Sequence, residues 1–210
     1  MVTALLAVVA FAGGWFLWTF WEYVLHRWAF HEMKGVGFPS RAHLDHHARS
    51  GWYFDYVILW AWAGVVLAGW GWKRLADVVG LPTAIAWSIG VGWVVGYFFY
   101  EWHHRASHLY APHNRWGRWL RKSHFHHHFG HPMRNHGVTI PLWDKVFRTE
   151  DRPDTIRVPR RMALPWLLDE SGEILPEYAE DYVLVGHTTL DERTKALDKA
   201  RAYANLEPIA

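Results

Sequence analysis

The chain has 210 residues, 51% of them hydrophobic, with 16 Trp, 16 His, no Cys and a formal charge of only +2. The length favours a single domain. Without cysteine, disulfides, iron–sulfur clusters and thiolate zinc sites are excluded, and the mixed, nearly balanced charges give no footprint for a nucleic-acid partner.

Met1 to Trp21 carries no charged side chain and is long enough to cross a bilayer core, which takes about 20 helical residues. A cleaved signal peptide ending near Ala10-Phe11-Ala12 is the competing reading. It lacks a basic leading segment, and the apolar run continues straight into Glu22 and His26. Residues 22–55 are polar and basic. Tyr56 to Trp72 is a second uncharged run, Lys73–Asp77 a tight polar turn, and Val78 to Tyr100 a third run ending at Glu101. Trp60, Trp62, Trp70, Trp72, Trp93 and Trp102 lie toward the ends of these runs, as in an interfacial belt.

Three crossings place His26 and His31 after the first span, His43, His46 and His47 before the second, and His104 and His108 after the third. Every His cluster then falls on one side. Most Lys and Arg lie there too, so that side is expected to be cytoplasmic. From Glu150 the composition becomes that of a soluble segment. Tyr182–Val185 reads as a short strand. Thr189-Leu190-Asp191-Glu192 reads as a capping box opening a helix to about Leu206. The expected fold class is all-α: about three membrane helices, a cytoplasmic cap of histidine-bearing helices and a short polar C-terminal tail. The expected division is residues 1–149, membrane-embedded, and 150–210, a cytoplasmic tail.

The histidines are spaced. His124, His127 and His128 follow H-x-x-H-H, which sets three imidazoles on one helix face, and His43, His46 and His47 repeat the triplet. His104 and His108 are an i, i+4 pair. His26 and His31 are five apart, about 140° around a regular helix, so they should straddle a helix end or serve different metals. Ten spaced imidazoles are too many for one ion. Two six-coordinate metals offer about twelve positions and leave about two for oxygen or water. His103 and His126 fall off these faces and read as non-ligands. His113 and His187 read as surface residues, and His131 and His136 as donors that orient a ligand or substrate.

The order H-x4-H, H-x2-HH, H-x3-H, H-x2-HH between apolar runs resembles the fatty acid hydroxylase/sterol desaturase superfamily of membrane-bound di-iron oxygenases. His104–Pro112 (H-R-A-S-H-L-Y-A-P), His124–Pro132 (H-F-H-H-H-F-G-H-P) and His136–Thr149 (H-G-V-T-I-P-L-W-D-K-V-F-R-T) are similar to its third box, its fourth box and the segment that follows. The resemblance implies ten metal ligands: His26, His31, His43, His46, His47, His104, His108, His124, His127 and His128. It implies two Fe ions (Zn possible as purified), O2 as co-substrate, and hydroxylation of a fatty acyl chain or sphingolipid in the bilayer. Electrons would come from a separate donor, a cytochrome b5-like protein, ferredoxin or reductase, and the setting would be a bacterial inner membrane. Glu22, Glu32, Asp45, Glu101 and Asp144 are candidates to offset the metal charge. Trp28, Phe30, Trp102, Phe125 and Phe129 are candidates to line a lipid channel. The chain departs from the family pattern in two ways: three spans where four are common, and His136 where an aromatic residue is common. The alternatives are a carotenoid ring hydroxylase, a sterol desaturase or hydroxylase, or, from another class, a non-catalytic zinc- or nickel-binding membrane protein or transporter. The near absence of polar groups inside the spans argues against a transporter.

Overall fold

A computed structural model describes residues 2–52, 54 and 56–209. The terminal residues of the two expected segments, Met1 and Ala210, lie outside the described set, as do Tyr53 and Asp55. The chain is mostly helical: α1 Val2–Val24, a π-helix Leu25–Glu32, α2 Phe38–Arg49, α3 Val57–Val78, α4 Thr83–Leu109, α5 Arg115–Phe129, α6 Leu142–Val146 and α7 Glu192–Tyr203, with strands β1 Ile156–Pro159 and β2 Tyr182–Val185. It divides into two units, Met1–Glu22 with Tyr53–Trp102, and Tyr23–Trp52 with His103–Ala210.

The first unit is built on close helix contacts. Gly14 and Gly92 let backbones approach so nearly that a Cβ at either would lie 2.1 Å from Ile89 O or Phe11 O. Small residues serve this purpose where lipid removes the hydrophobic drive for helix association. Trp18 fills the space beside them, edge-on to Trp93 and Tyr97 at 5.1 Å. Two helices, Val2–Glu32 and Thr83–Leu109, are long and apolar enough to cross a membrane. Val2, Leu5, Val8 and Val9 are all exposed, so this apolar surface is not buried in the chain.

The second uncharged run is also helical, but α3 falls short of the same criterion, its hydropathy lowered by four Trp and by Lys73 and Arg74. The expected turn at Lys73–Asp77 is instead helical, stapled by Lys73 Nζ to Asp77 Oδ2 at 2.6 Å. The chain turns at Gly80, whose φ of 82° glycine adopts at no steric cost, and α4 opens after Pro82.

The second unit has its core where α5 meets the C-terminal segment: Phe125, Phe129, Ile156, Val158, Leu167 and Tyr182 are buried together. Strands β1 and β2 pair in parallel, with Ile156 opposite Tyr182, so a small sheet joins the helices. β2 occupies the expected residues. Helix α7 begins later than the capping-box pattern indicates, because Asp191 rather than Thr189 caps it, accepting from Thr194 N at 2.7 Å. A buried ion pair, Arg161 to Asp198, anchors α7 with both side chains 1% exposed.

Candidate metal centre

Ten of the histidines gather in the second unit as two groups of five: His26, His31, His43, His47 and His127, and His46, His104, His108, His124 and His128. Within each group the offered nitrogens lie within 4.8 Å of one another. All ten are the residues that spacing and resemblance single out. Among the described residues no carboxylate belongs to either group.

The helices deal out the three imidazoles of each face between both groups. Each H-x-x-H-H triplet splits. Its i, i+4 pair stays in one group (His43 with His47, His124 with His128), while the remaining member crosses to the other (His46, His127). Each group is therefore two helical pairs and one exchanged single. The five-residue spacing of His26 and His31 is resolved by the backbone. Residues 25–32 are π-helical, a winding whose hydrogen bonds run from i to i+5. That winding brings residues five apart onto one face, so both rings serve the same group. The groups adjoin through His47 and His128, stacked at 4.1 Å and 8°.

The hydrogen bonds set the tautomers. Nδ1 of His26 donates to His136 O (2.5 Å), that of His127 to Arg134 O (2.7 Å), that of His108 to Ser50 O (2.8 Å) and that of His46 to Gly51 O (3.2 Å). A carbonyl can only accept, so each of these Nδ1 atoms carries the proton and Nε2 is left with a lone pair. His31 is treated the same way by Asn205: Oδ1 accepts from Nδ1 at 2.8 Å while Nδ2 donates to His31 O at 3.0 Å. Ser50 and Asn135, at φ of 56° and 54°, bend the two loops that present these carbonyls.

The Nε2 atoms then face each other: His31 and His127 at 3.1 Å, His31 and His43 at 2.9 Å, His26 and His43 at 3.1 Å, His43 and His47 at 3.1 Å, His46 and His104 at 3.1 Å, His108 and His124 at 2.9 Å. For His31 and His127 both Nδ1 protons are already placed, so lone pair meets lone pair and no hydrogen bond joins them. A cation between them removes the conflict. A proton is a poor one: burial, aided by neighbouring imidazoles, holds His43, His47, His124, His127 and His128 well below the ordinary range. Burial brings His46 to about 4. A metal fits. Metal–nitrogen bonds of about 2.1 Å at right angles place neighbouring nitrogens about 3.0 Å apart, whereas a tetrahedron would set them about 3.4 Å apart. The observed edges of 2.9–3.1 Å lie nearer the right-angled spacing, so each group would offer five nitrogens to a metal.

The other sequence-selected residues lie outside both groups. His126 pairs with Asp151 at 3.0 Å, His103 packs against Trp116, and His113, His131 and His187 are exposed. His136 is fully buried with its ring 5.4 Å from those of His26 and His127. Its carbonyl, not its ring, accepts from His26 Nδ1. Phe125 and Phe129 belong to the core rather than to a channel. Trp28 and Trp102 are exposed, and Phe30 stacks on His43 at 5.0 Å. Asp144 is buried and accepts from the backbone N–H of His136 and Gly137 at 2.9 and 2.7 Å, so it braces the loop that holds His26. Glu32 and Asp45 are engaged by Arg27 and Lys199.

A family model described as fatty acid hydroxylase matches residues 11–149. The chain is 30% identical over 150 residues to a dihydroceramide fatty acyl 2-hydroxylase of Arabidopsis thaliana, covering 70% of this chain and 62% of that protein. It is 32% identical to the fatty acid 2-hydroxylase of Homo sapiens, over 65% of this chain and 38% of that one. A solved structure described as full-length scs7p, with only the hydroxylase domain visible, superposes with a TM-score of 0.54 at 28% identity, covering 71% of this chain and 58% of that one.

Proposed function

The chain belongs to the fatty acid hydroxylase family, and from that premise we propose that it is a membrane-bound di-iron oxygenase that hydroxylates a fatty acyl chain, free or within a ceramide. The observation that carries this reading is the pair of five-histidine groups, with Nε2 lone pairs turned inward at right-angle spacings. His26, His31, His43, His47 and His127 would hold one iron, and His46, His104, His108, His124 and His128 the other. Iron there would supply O2 activation and the oxidising power for C–H cleavage; zinc has no redox chemistry to offer. Overall, substrate C–H, O2, two electrons and two protons give C–OH and water.

The chain's own residues fix the ligand tautomers through the 50–51 and 134–136 carbonyls and keep the groups buried, so that water does not compete for the shell. The relatives act, by their names, at C2 of fatty acyl chains, and that carbon is the proposed target. Those names do not favour the carotenoid and sterol alternatives. Counting α3 as a third crossing returns every His box to one side in chain order, the Lys- and Arg-rich side, which makes it cytoplasmic.

Lipid extracts from cells expressing the intact chain, His127→Ala or His128→Ala are compared by mass spectrometry, alongside the metal content of each purified protein. The intact chain is expected to yield a lipid heavier by one oxygen and to hold two metal ions. Each variant, cut in a different group, should lose the product and one metal. An active variant, or intact protein that takes up no metal, refutes the proposal.

A further inference from the structure

We propose that helix α7 and the residue that ends it form a clamp on the first histidine group, with Asn205 the positioning residue for His31, so that the two metals are held with unequal security. The inference rests on the metal reading of the groups. Its starting point is a contact across 174 residues. Asn205 makes two hydrogen bonds to His31, one to the ring and one to the backbone. The backbone carbonyl accepts only, so it takes the amide N–H, and that turns Oδ1 toward the ring. His31 is thereby locked with its Nε2 lone pair toward His43 and His127.

The other ring N–H anchors described above end on backbone carbonyls at residues 51, 50, 134 and 136, all inside the family match of residues 11–149. Asn205 lies outside that match. Its φ of 56° is the left-handed conformation that closes α7, and asparagine is among the few side-chain-bearing residues that adopt it readily. One residue thus ends the helix and orients a ligand.

The clamp is built to hold. Arg161 grips Asp198 on α7 and also donates to Ile209 O at 3.0 Å. Tyr203 OH and Lys199 Nζ both reach Asp45 Oδ1 at 3.0 Å, on α2 between His43 and His46. Tyr203 lies against Gly35, where a Cβ would come within 2.4 Å of its ring. Replacing Asn205 frees His31 of the first group alone, whereas loosening Tyr203 or Lys199 would also reach His46, next to Asp45 on α2.

The test follows metal release from the purified full-length chain, loaded with two zinc ions and mixed with a chelator. Intact protein, Asn205→Leu, Asn205→Asp and the exposed α7 control Lys195→Ala are compared. Removing a group that orients a ligand typically costs 10- to 100-fold in metal affinity. Asn205→Leu is therefore expected to release one equivalent about 10- to 100-fold faster, with the second unchanged. Asn205→Asp, which keeps the acceptor and loses the donor to His31 O, should fall between, and Lys195→Ala should match the intact chain. If Asn205→Leu does not fold, Asn205→Asp decides alone. Intact rates in both Asn205 variants, or equal acceleration of both equivalents, overturn the clamp while the metal reading stands. Intact protein that binds no zinc overturns both.

Discussion

Asp144 offers the sharpest test of how the loop at 134–137 supports the first histidine group. Its carboxylate is 1% exposed and accepts three hydrogen bonds, from His136 N at 2.9 Å, Gly137 N at 2.7 Å and Thr149 Oγ1 at 2.7 Å. In Asp144→Ala the Thr149 hydroxyl keeps Tyr23 as a partner at 3.0 Å, but the two backbone N–H groups are orphaned in the interior. Each orphan costs about 1–3 kcal/mol, so the variant should lose about 2–6 kcal/mol, a large part of the roughly 5–15 kcal/mol that holds a domain folded. Asp144→Asn keeps one oxygen but turns an amide N–H toward a donor, leaving about one orphan and about 1–3 kcal/mol. It also recovers something, because burial pushes the Asp144 carboxyl up against the pull of its three donors. The ionised form is thus partly unfavourable in the fold, and a neutral isostere avoids that cost. His136 O, the acceptor for His26 Nδ1, belongs to the same peptide that Asp144 grips, so the metal should loosen with the loop. Thermal unfolding in detergent should rank intact, then Asn, then Ala, and chelator release of one metal equivalent should follow the same order. An Asp144→Ala protein with unchanged melting temperature refutes the orphan count. One that melts earlier yet keeps both metals refutes the coupling to His26.

Acid should release the metals late. The ligand imidazoles outside the apolar helices have folded-state pKa values below 6.5, with His46 at about 4. The folded chain therefore takes up fewer protons than the unfolded one as the pH falls from 6.5, and stability drops through that window. Metal content after dialysis should persist at about pH 6 and fall as about pH 4 is approached; loss already complete at about pH 6 would contradict the burial effect. In the first unit, Gly92→Ala drives a Cβ to 2.1 Å from Phe11 O and should cost about 1–3 kcal/mol. Gly13→Ala, with nothing within 4 Å, should be neutral or stabilise by up to about 1 kcal/mol. Equal melting temperatures for the two would argue against the close helix approach.

The pairs His43/His47, His104/His108 and His124/His128 were readable from sequence because a helix brings i and i+4 together whatever surrounds it. The exchange of His46 and His127 between groups was not, since it depends on how α2 and α5 face each other. The anchoring carbonyls left no trace either: every residue has one, and nothing in the letters at 50, 51, 134 and 136 marks them as acceptors. Asn205 is hidden by distance along the chain. The apolar runs announced their helices, while the break between α3 and α4 followed Gly80 and Pro82 rather than the charges at 73–77. In the C-terminal segment the strand at 182–185 announced itself as a short run of β-prone apolar residues, Tyr-Val-Leu-Val. Its packing on Phe125 and Phe129 did not, because those two aromatics serve a lipid channel or a protein core equally well on composition alone.

The winding at Leu25–Glu32 makes two of the histidine spacings equivalent. His104 and His108 sit four apart on an α-helix; His26 and His31 sit five apart on a π-helix. Each pair serves one histidine group, and the difference is a single inserted residue, accommodated without a loop. Deleting one residue between His26 and His31 and letting the segment rewind as α-helix should preserve the grip, whereas the same deletion between His104 and His108 has no tighter regular winding of comparable stability to fall back on. The number of residues between two histidines of one group thus records how the helix beneath them is wound.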